Sequence, residues 1–179
     1  MGLTLVTPAT SSVVTLEDAQ AWSRADGPAD EAALTIALEA AISAVETFLG
    51  RSLGAQTWRL VLDDFTAEIL LPRGPVTGIE AFTYLDTAGA DQAVDPEIYT
   101  LDLVSDPQRI VINDDASWPE VDDAINAVSI EFTAGYAALP SAVRMVILTL
   151  TTQAFDDRTA PALTPDMMRS LAPWRPLRI

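Results

Sequence analysis

The chain has 179 residues, of which 49% are apolar, 26 are acidic and 10 are basic, so its formal net charge is −16. It contains no cysteine and no histidine, which excludes disulfide bonds, thiolate chemistry and the side chain that most often serves as general base or metal ligand. All ten basic residues are arginine, so Schiff-base chemistry by lysine is excluded as well, and the acidic balance argues against binding of a nucleic-acid backbone.

The first predicted elements are an extended arm and two helices. Residues 1–14 are rich in Thr, Ser, Val and Pro and predict the arm. Thr15 and Asp18 have the spacing of a capping box, which predicts a short helix over about 16–25. Apolar residues at helical spacing then predict a second helix that ends before Gly50.

From about residue 55 the hydrophobic period changes from helical to alternating. The strongest strand signal lies at the end of this segment, where Val128, Ile130 and Phe132 alternate with polar residues. Gly89 marks a hairpin, and two Asp-Pro pairs mark further turns between short apolar stretches. Residues 55–135 therefore predict six or seven short antiparallel strands in a small sandwich or barrel.

Helical spacing returns after Pro140. One stripe of this helix consists of Val143, Val146, Ile147, Leu150 and Ala154, and Met145, Leu148 and Phe155 widen it. A helix this apolar is expected to be buried on most sides, within the fold or against a second copy. Thr164 and Pro165 predict a last short helix that stops before Pro173.

These elements predict an α+β fold in which both chain ends form a small helical bundle around an inserted antiparallel β-sandwich or barrel-like domain. The predicted divisions are an extended N-terminal arm (1–14), a helical bundle (15–54 plus 136–172), the inserted β domain (55–135) and a C-terminal tail (173–179). The N-terminus lacks the features of a signal peptide, and the longest apolar run is far shorter than the roughly 20 residues of a membrane span. We expect a soluble cytoplasmic protein.

Paired carboxylates are the main candidates for chemistry: Asp63–Asp64, Asp114–Asp115, Asp122–Asp123 and Asp156–Asp157. Their spacing fits no calcium loop, and neighbouring residues of a strand face opposite sides. Solvated turns are therefore favoured over a weak metal site or a catalytic pair. We predict no catalytic residue, no metal and no cofactor.

The four tryptophans differ in their surroundings along the sequence. Trp22 and Trp58 fall on apolar faces and are expected in the core. Trp118 lies in a loop, where burial and an interaction role are about equally favoured. Trp174 lies in the proline-rich, basic tail and is the best candidate for contact with a partner.

A series of short segments resembles the head–tail connector (adaptor) proteins of tailed bacteriophages and gene transfer agents, and it covers about residues 15–175. The segments occur in the same order as in that family: GRSLGAQTWRLVLDDF, ILLPRGPVTGIEAFTYLDTAG, VDPEIYTLD, QRIVI, SWP, NAVSIEFTAGY and LPSAVRMVILTLTTQAFDDR. The resemblance implies a structural protein without catalytic residues. It also implies a small helical bundle that carries a β insertion.

What the resemblance implies about function is a ring, commonly of twelve copies, beneath the portal protein in the virion neck. Such a ring extends the DNA channel and joins the capsid to a tail-side stopper or tail-terminator protein. Before assembly the chain would be in the cytoplasm of the bacterial host. DNA would pass an acidic wall without specific binding, and no membrane is implied. The alternatives are a tail-completion or stopper protein, and a carbohydrate-binding or carboxylate-based enzyme module.

Two groups of residues are predicted to make the contacts of such a ring. The tail is expected to dock on the portal protein through apolar anchors and arginines: Arg169, Trp174, Arg175, Leu177, Arg178 and Ile179. Contacts between neighbouring copies are assigned to Arg73, Trp118 and Arg144. The alternatives are that the tail folds back on its own helices and that the segment around Arg73 is only a turn.

Overall fold

The structure is a computed structural model that describes residues 1–9, 13–25, 27 and 30–176. These residues separate into two units, each built from two stretches of the chain. The β unit comprises 1–9 and 54–135, and the helical unit comprises the described residues between 13 and 53 together with 136–176.

The helical unit contains four helices and one terminal 3-10 turn. These are α1 (Leu16–Ser23), α2 (Glu31–Leu49), α3 (Ser141–Asp157), α4 (Pro165–Leu171) and the turn Ala172–Trp174. Local signals in the sequence set their ends. The hydroxyl of Thr15 accepts from the Asp18 amide while the Asp18 carboxylate accepts from the Thr15 amide, each at 3.1 Å. The predicted capping box is therefore confirmed, as are the left-handed residue Gly50 after α2 and the Thr164 cap of α4.

The core of the helical unit lies between α2 and α3. Leu34, Leu38 and Val45 of α2 pack with Ile147 and Leu150 of α3, and all five side chains are buried. By length and composition α2 could also cross a membrane. Its place in this core accounts for the hydrophobicity, because the same residues cover the apolar stripe of α3.

Two predictions about burial in the helical unit are wrong. Met145 was expected to widen the buried stripe of α3, but it is 55% exposed, because it lies about 200° around the helix from Val143. Trp22 was expected in the core, but it is 50% exposed. Ala19 is the buried residue of α1, so this two-turn helix covers the core with a face too narrow to include the tryptophan.

The β unit has eight strands in two sheets. The five-stranded sheet has the order β1-β2-β8-β4-β5, formed by Gly2–Thr7, Gln56–Leu62, Val128–Ala134, Val76–Leu85 and Asp91–Ala93. The three-stranded sheet has the order β3-β7-β6, formed by Glu68–Leu70, Arg109–Ile112 and Tyr99–Asp102. All neighbouring strands are antiparallel. Residues 2–7 of the predicted arm thus lie at the edge of a sheet.

One hydrophobic core joins the two sheets. Ile69 and Ile110 of the smaller sheet pack in the same cluster as Leu60, Phe82 and Ile130 of the larger sheet. Along β8 every second residue is buried, as the alternating sequence predicts. The predicted α+β fold, with its β-sandwich arrangement, is confirmed.

Candidate assembly surfaces

The C-terminal segment contacts its own helical unit at Trp174 and Arg175. The backbone oxygen of Trp174 accepts a 2.6 Å hydrogen bond from Nε of the buried Arg51. The indole of Trp174 is half-buried against the helical core. Arg175 lies over the ring of Phe48, with 5.1 Å between the guanidinium carbon and the ring centroid.

These contacts bear directly on the predicted portal-docking group. Trp174 and Arg175 are engaged by their own helices, which favours the alternative that the tail folds back. Arg169 is exposed and forms an ion pair with Asp166, one turn earlier on α4. Leu177, Arg178 and Ile179 lie outside the described residues. Docking of this segment on a portal protein therefore stays a prediction.

Two of the residues assigned to contacts between copies have partners in their own unit. Arg144 Nη2 lies 2.6 Å from Asp18 Oδ1, so it joins α3 to the cap of α1. The hydrogen bond from the Thr15 amide, supported by Arg144, holds the pKa of the Asp18 carboxyl below its usual range. Arg73 has a left-handed backbone, with φ of +65°, and its guanidinium carbon lies 5.1 Å from the centroid of Trp58.

Trp118 belongs to an aromatic cluster in the core of the β unit. Its ring stacks on Phe65 at 4.7 Å with an interplanar angle of 6°, and Phe82 and Tyr99 lie nearby. Its indole Nε1 donates to the Thr66 carbonyl at 2.9 Å. The loop that carries Trp118 is thus fixed to the sandwich. A role for this residue between copies stays a prediction.

Paired aspartates hold turns of the β unit, whereas Asp156 and Asp157 are the last two residues of α3. Asp63 accepts from the amide of Asn126, and Asp122 accepts from the amide of Ala124, each at 2.9 Å. Such bonds from backbone amides are the usual reason for aspartate in turns. Within the described part of the chain, no group of three or more acidic side chains has an arrangement that could hold a metal ion.

Among the described residues, the largest shift of a carboxyl pKa is at Asp102, the last residue of β6. Hydrogen bonds from the hydroxyl and amide of Ser105, together with Arg109, hold the pKa of Asp102 well below its usual range. Arg109 also bonds Glu68 at 3.0 Å. The charge of Asp102 is therefore neutralised within the β unit.

Two exposed apolar features have no recognisable signal in the sequence. A groove of about 400 Å³ lies in the helical unit between α2 and the end of α3, and Ile36 on its edge is 68% exposed. In the β unit, Val104 and Ile125 at loop tips are 97% and 81% exposed. Ile36 falls outside the helical stripe on which the core prediction was based, and the loop residues belong to no periodic pattern. Whether these side chains are exposed is decided by how each unit folds, and the sequence pattern does not show it.

Solved structures similar to this chain come from phage-like particles. One is a chain in the neck of an empty gene transfer agent particle determined with C6 symmetry, with 27% identity and a TM-score of 0.81. Another belongs to the virion of a native gene transfer agent particle, with 26% identity and a TM-score of 0.82. A third is from the neck of a native particle determined with C12 symmetry, with 25% identity and a TM-score of 0.77. Each match covers 100% of this chain and 97% of the other.

The chain therefore has the fold of a structural protein of phage-like particles. More narrowly, it has the fold of a chain found in the neck of gene transfer agents, which confirms the resemblance described from the sequence. No protein-family model and no curated protein matches the chain.

Proposed function

We propose that the chain is a structural head–tail adaptor in the neck of a gene transfer agent or related phage-like particle. It acts by shape and adhesion, as one copy in a ring, and it catalyses no reaction. The observation that carries this proposal is the full-length similarity, over 100% of this chain, to chains from gene transfer agent necks. Because the match spans both units, it supports a role for the whole chain and not only for a shared domain.

The partners in this proposal follow from the position of a neck ring. One face contacts the portal protein, and the other contacts a tail-side stopper or tail-terminator protein. Necks determined with C6 and C12 symmetry contain repeated copies, which supports contacts between copies of this chain as well. The net charge of −16 suits a channel wall, since like charge keeps DNA from adhering as it passes.

Deletion of the gene in cells that produce the particles tests this function. We expect heads that package DNA but carry no tails, because the joint between portal and tail is missing. Electron microscopy counts tailed and tailless heads, and a gene-transfer assay measures DNA delivery. Restoring the full-length gene should restore both. Tailed, DNA-delivering particles from the deletion strain would rule the adaptor role out.

The position in the neck can be measured in the same particles. Cryo-electron microscopy of the complemented strain should show density for both units as a ring in contact with the portal. Density located only at the tail side of the neck would instead identify a stopper or tail-completion protein and contradict the adaptor assignment.

A further inference from the structure

We propose that neighbouring copies join by inserting the apolar loop tip at Ile125 of one copy into the α2–α3 groove of the next. In this contact Asp123, beside the tip, pairs with Arg158 at the groove. The inference rests on the proposed function, because it supplies the contact between copies that a neck ring requires.

The groove is an apolar surface on an otherwise acidic chain. Its lining includes Ile36 and three alanines of α2, Phe155 of α3 and Pro161 beyond the end of α3. The alanines leave space where larger side chains would fill it. An apolar depression of this size, with an exposed isoleucine in its lining, can receive an apolar side chain from a partner.

Arg158 gives this groove a positive charge. It follows α3 directly with a left-handed backbone, φ of +54°, and its guanidinium carbon lies 5.1 Å from the centroid of the Phe155 ring. Among the described residues it has no carboxylate partner within ion-pair distance. An acidic group of a neighbouring copy can therefore bind it without displacing an existing ion pair.

The tip is held in a fixed conformation although its side chain is exposed. The Asp122 amide donates to the Leu85 carbonyl at 3.0 Å, and the Asn126 amide donates to Asp63 at 2.9 Å. Between these two anchors Ile125 is 81% exposed. Because the backbone is already ordered, little conformational entropy is lost when the side chain is buried by a partner.

Negative charge surrounds this apolar tip. Asp63, Asp64, Asp122 and Asp123 line the same shallow depression as Ile125. Asp123 is exposed and directly follows the anchored Asp122. The tip therefore complements the groove. Its apolar side chain suits the apolar lining, and its negative charge is opposite in sign to that of Arg158.

A second copy is the occupant that these surfaces fit. A cyclic ring with head-to-tail contacts needs two different patches on each chain, and each must be complementary to the other. The groove lies in the helical unit and the tip lies in the β unit. Val104 is the other exposed tip, but the neighbouring Asp102 already pairs with Arg109 at 3.0 Å, so its charge is not available to Arg158.

Cysteine cross-linking tests the contact, since the natural chain has no cysteine. Particles are assembled from a mixture of full-length Ile125→Cys and Ile36→Cys chains and are then oxidised. We expect a reducible dimer, because the two cysteines meet only between copies. Particles made from Ile125→Cys alone should give none. The matched control mixes Val104→Cys with Ile36→Cys and should also give none.

A charge exchange provides a second measurement. Arg158→Glu or Asp123→Arg alone should lower the number of copies retained per neck by about fivefold or more, because like charges then meet. The double variant should restore retention to within about twofold of the natural chain. Circular dichroism of each free variant shows whether it has folded.

The outcomes separate this inference from the proposed function. If the natural chain is present in necks, but the Ile125→Cys mixture gives no dimer or the double variant gives no rescue, the contact is wrong and the adaptor role stands. A dimer from the Val104→Cys mixture would assign the contact to the other loop. If the natural chain is absent from necks, the proposed function itself fails.

Discussion

At the scale of single residues, Gly135 lies where two backbone segments of the β unit meet. Its φ is +150°, and a Cβ at this position would lie 2.3 Å from the carbonyl oxygen of Gly54. The Gly135 amide also donates to the Pro75 carbonyl at 2.8 Å. A side chain could enter only if one of these backbone segments moved.

We therefore predict that Gly135→Ala lowers the free energy of unfolding by about 3 kcal/mol, from backbone strain and the clash together. Urea denaturation of the full-length chain measures this. Gly89→Ala is the matched control. Gly89 also has a positive φ, +76°, but open space surrounds it, so only strain of about 1 kcal/mol is expected. Equal losses for the two variants would show that the close approach to Gly54 does not matter.

Residue contacts were predictable from the sequence only where both partners are close along the chain. The Thr15–Asp18 capping box spans three residues and follows from local spacing. The bond from Arg51 to Trp174 spans 123 residues. Arginines near the surface have many possible acidic partners in this chain, and only the fold selects one. The pair of Arg144 with Asp18 is such a case, and contact of Arg144 with a neighbouring copy stays a prediction.

At the scale of elements, the hydrophobic periodicity and the Gly and Pro residues that end helices and strands predicted the helices and most of the strands. Both signals are properties of neighbouring residues. The order of strands within the sheets was not predictable, because pairing depends on contacts between distant segments. The strand β1 shows this clearly: residues 2–7 contain little that distinguishes an edge strand from a free arm, and their pairing with β2 exists only once β2 is in place.

The C-terminal element gives a prediction that separates packing from docking. Trp174 is half-buried against the helical core, so Trp174→Ala should lower the free energy of unfolding of the free chain by about 2 kcal/mol, roughly half the loss for a fully buried tryptophan. Denaturation followed by helical circular dichroism measures it. Trp22→Ala is the control: this side chain is 50% exposed and, unlike Trp174, is not one of the described residues that pack against the helical core, so the loss should be smaller, about 1 kcal/mol or less.

The same experiment bears on the tail as a portal-docking segment. If Trp174→Ala leaves stability unchanged and abolishes retention of the chain on portals, the indole is a docking anchor and the packing interpretation fails. Deletion of residues 177–179 tests the rest of the segment separately, because it leaves the bond between Arg51 and Trp174 intact.

At the scale of the whole molecule, two stretches of chain build each unit, and acidic side chains cover both. Turns account for many of these acids, since Asp63, Asp86, Asp95 and Asp122 all accept hydrogen bonds from nearby or loop amides. Turn formation therefore contributes to the net charge of −16. A ring of such copies multiplies that charge around its opening. The charge was evident from composition, whereas the residues that face the opening depend on the assembly.

The last prediction concerns this charge and DNA. The full-length chain should not bind double-stranded DNA even at about 50 mM salt, where attraction between protein cations and phosphates is strongest. Four of the ten arginines are already paired with carboxylates in the folded chain: Arg59, Arg109, Arg144 and Arg169. Fluorescence anisotropy of a labelled duplex measures binding, with a basic DNA-binding protein as positive control. Binding that tightens as salt is lowered would reveal a phosphate-binding surface, and the channel wall would then hold DNA instead of letting it slide.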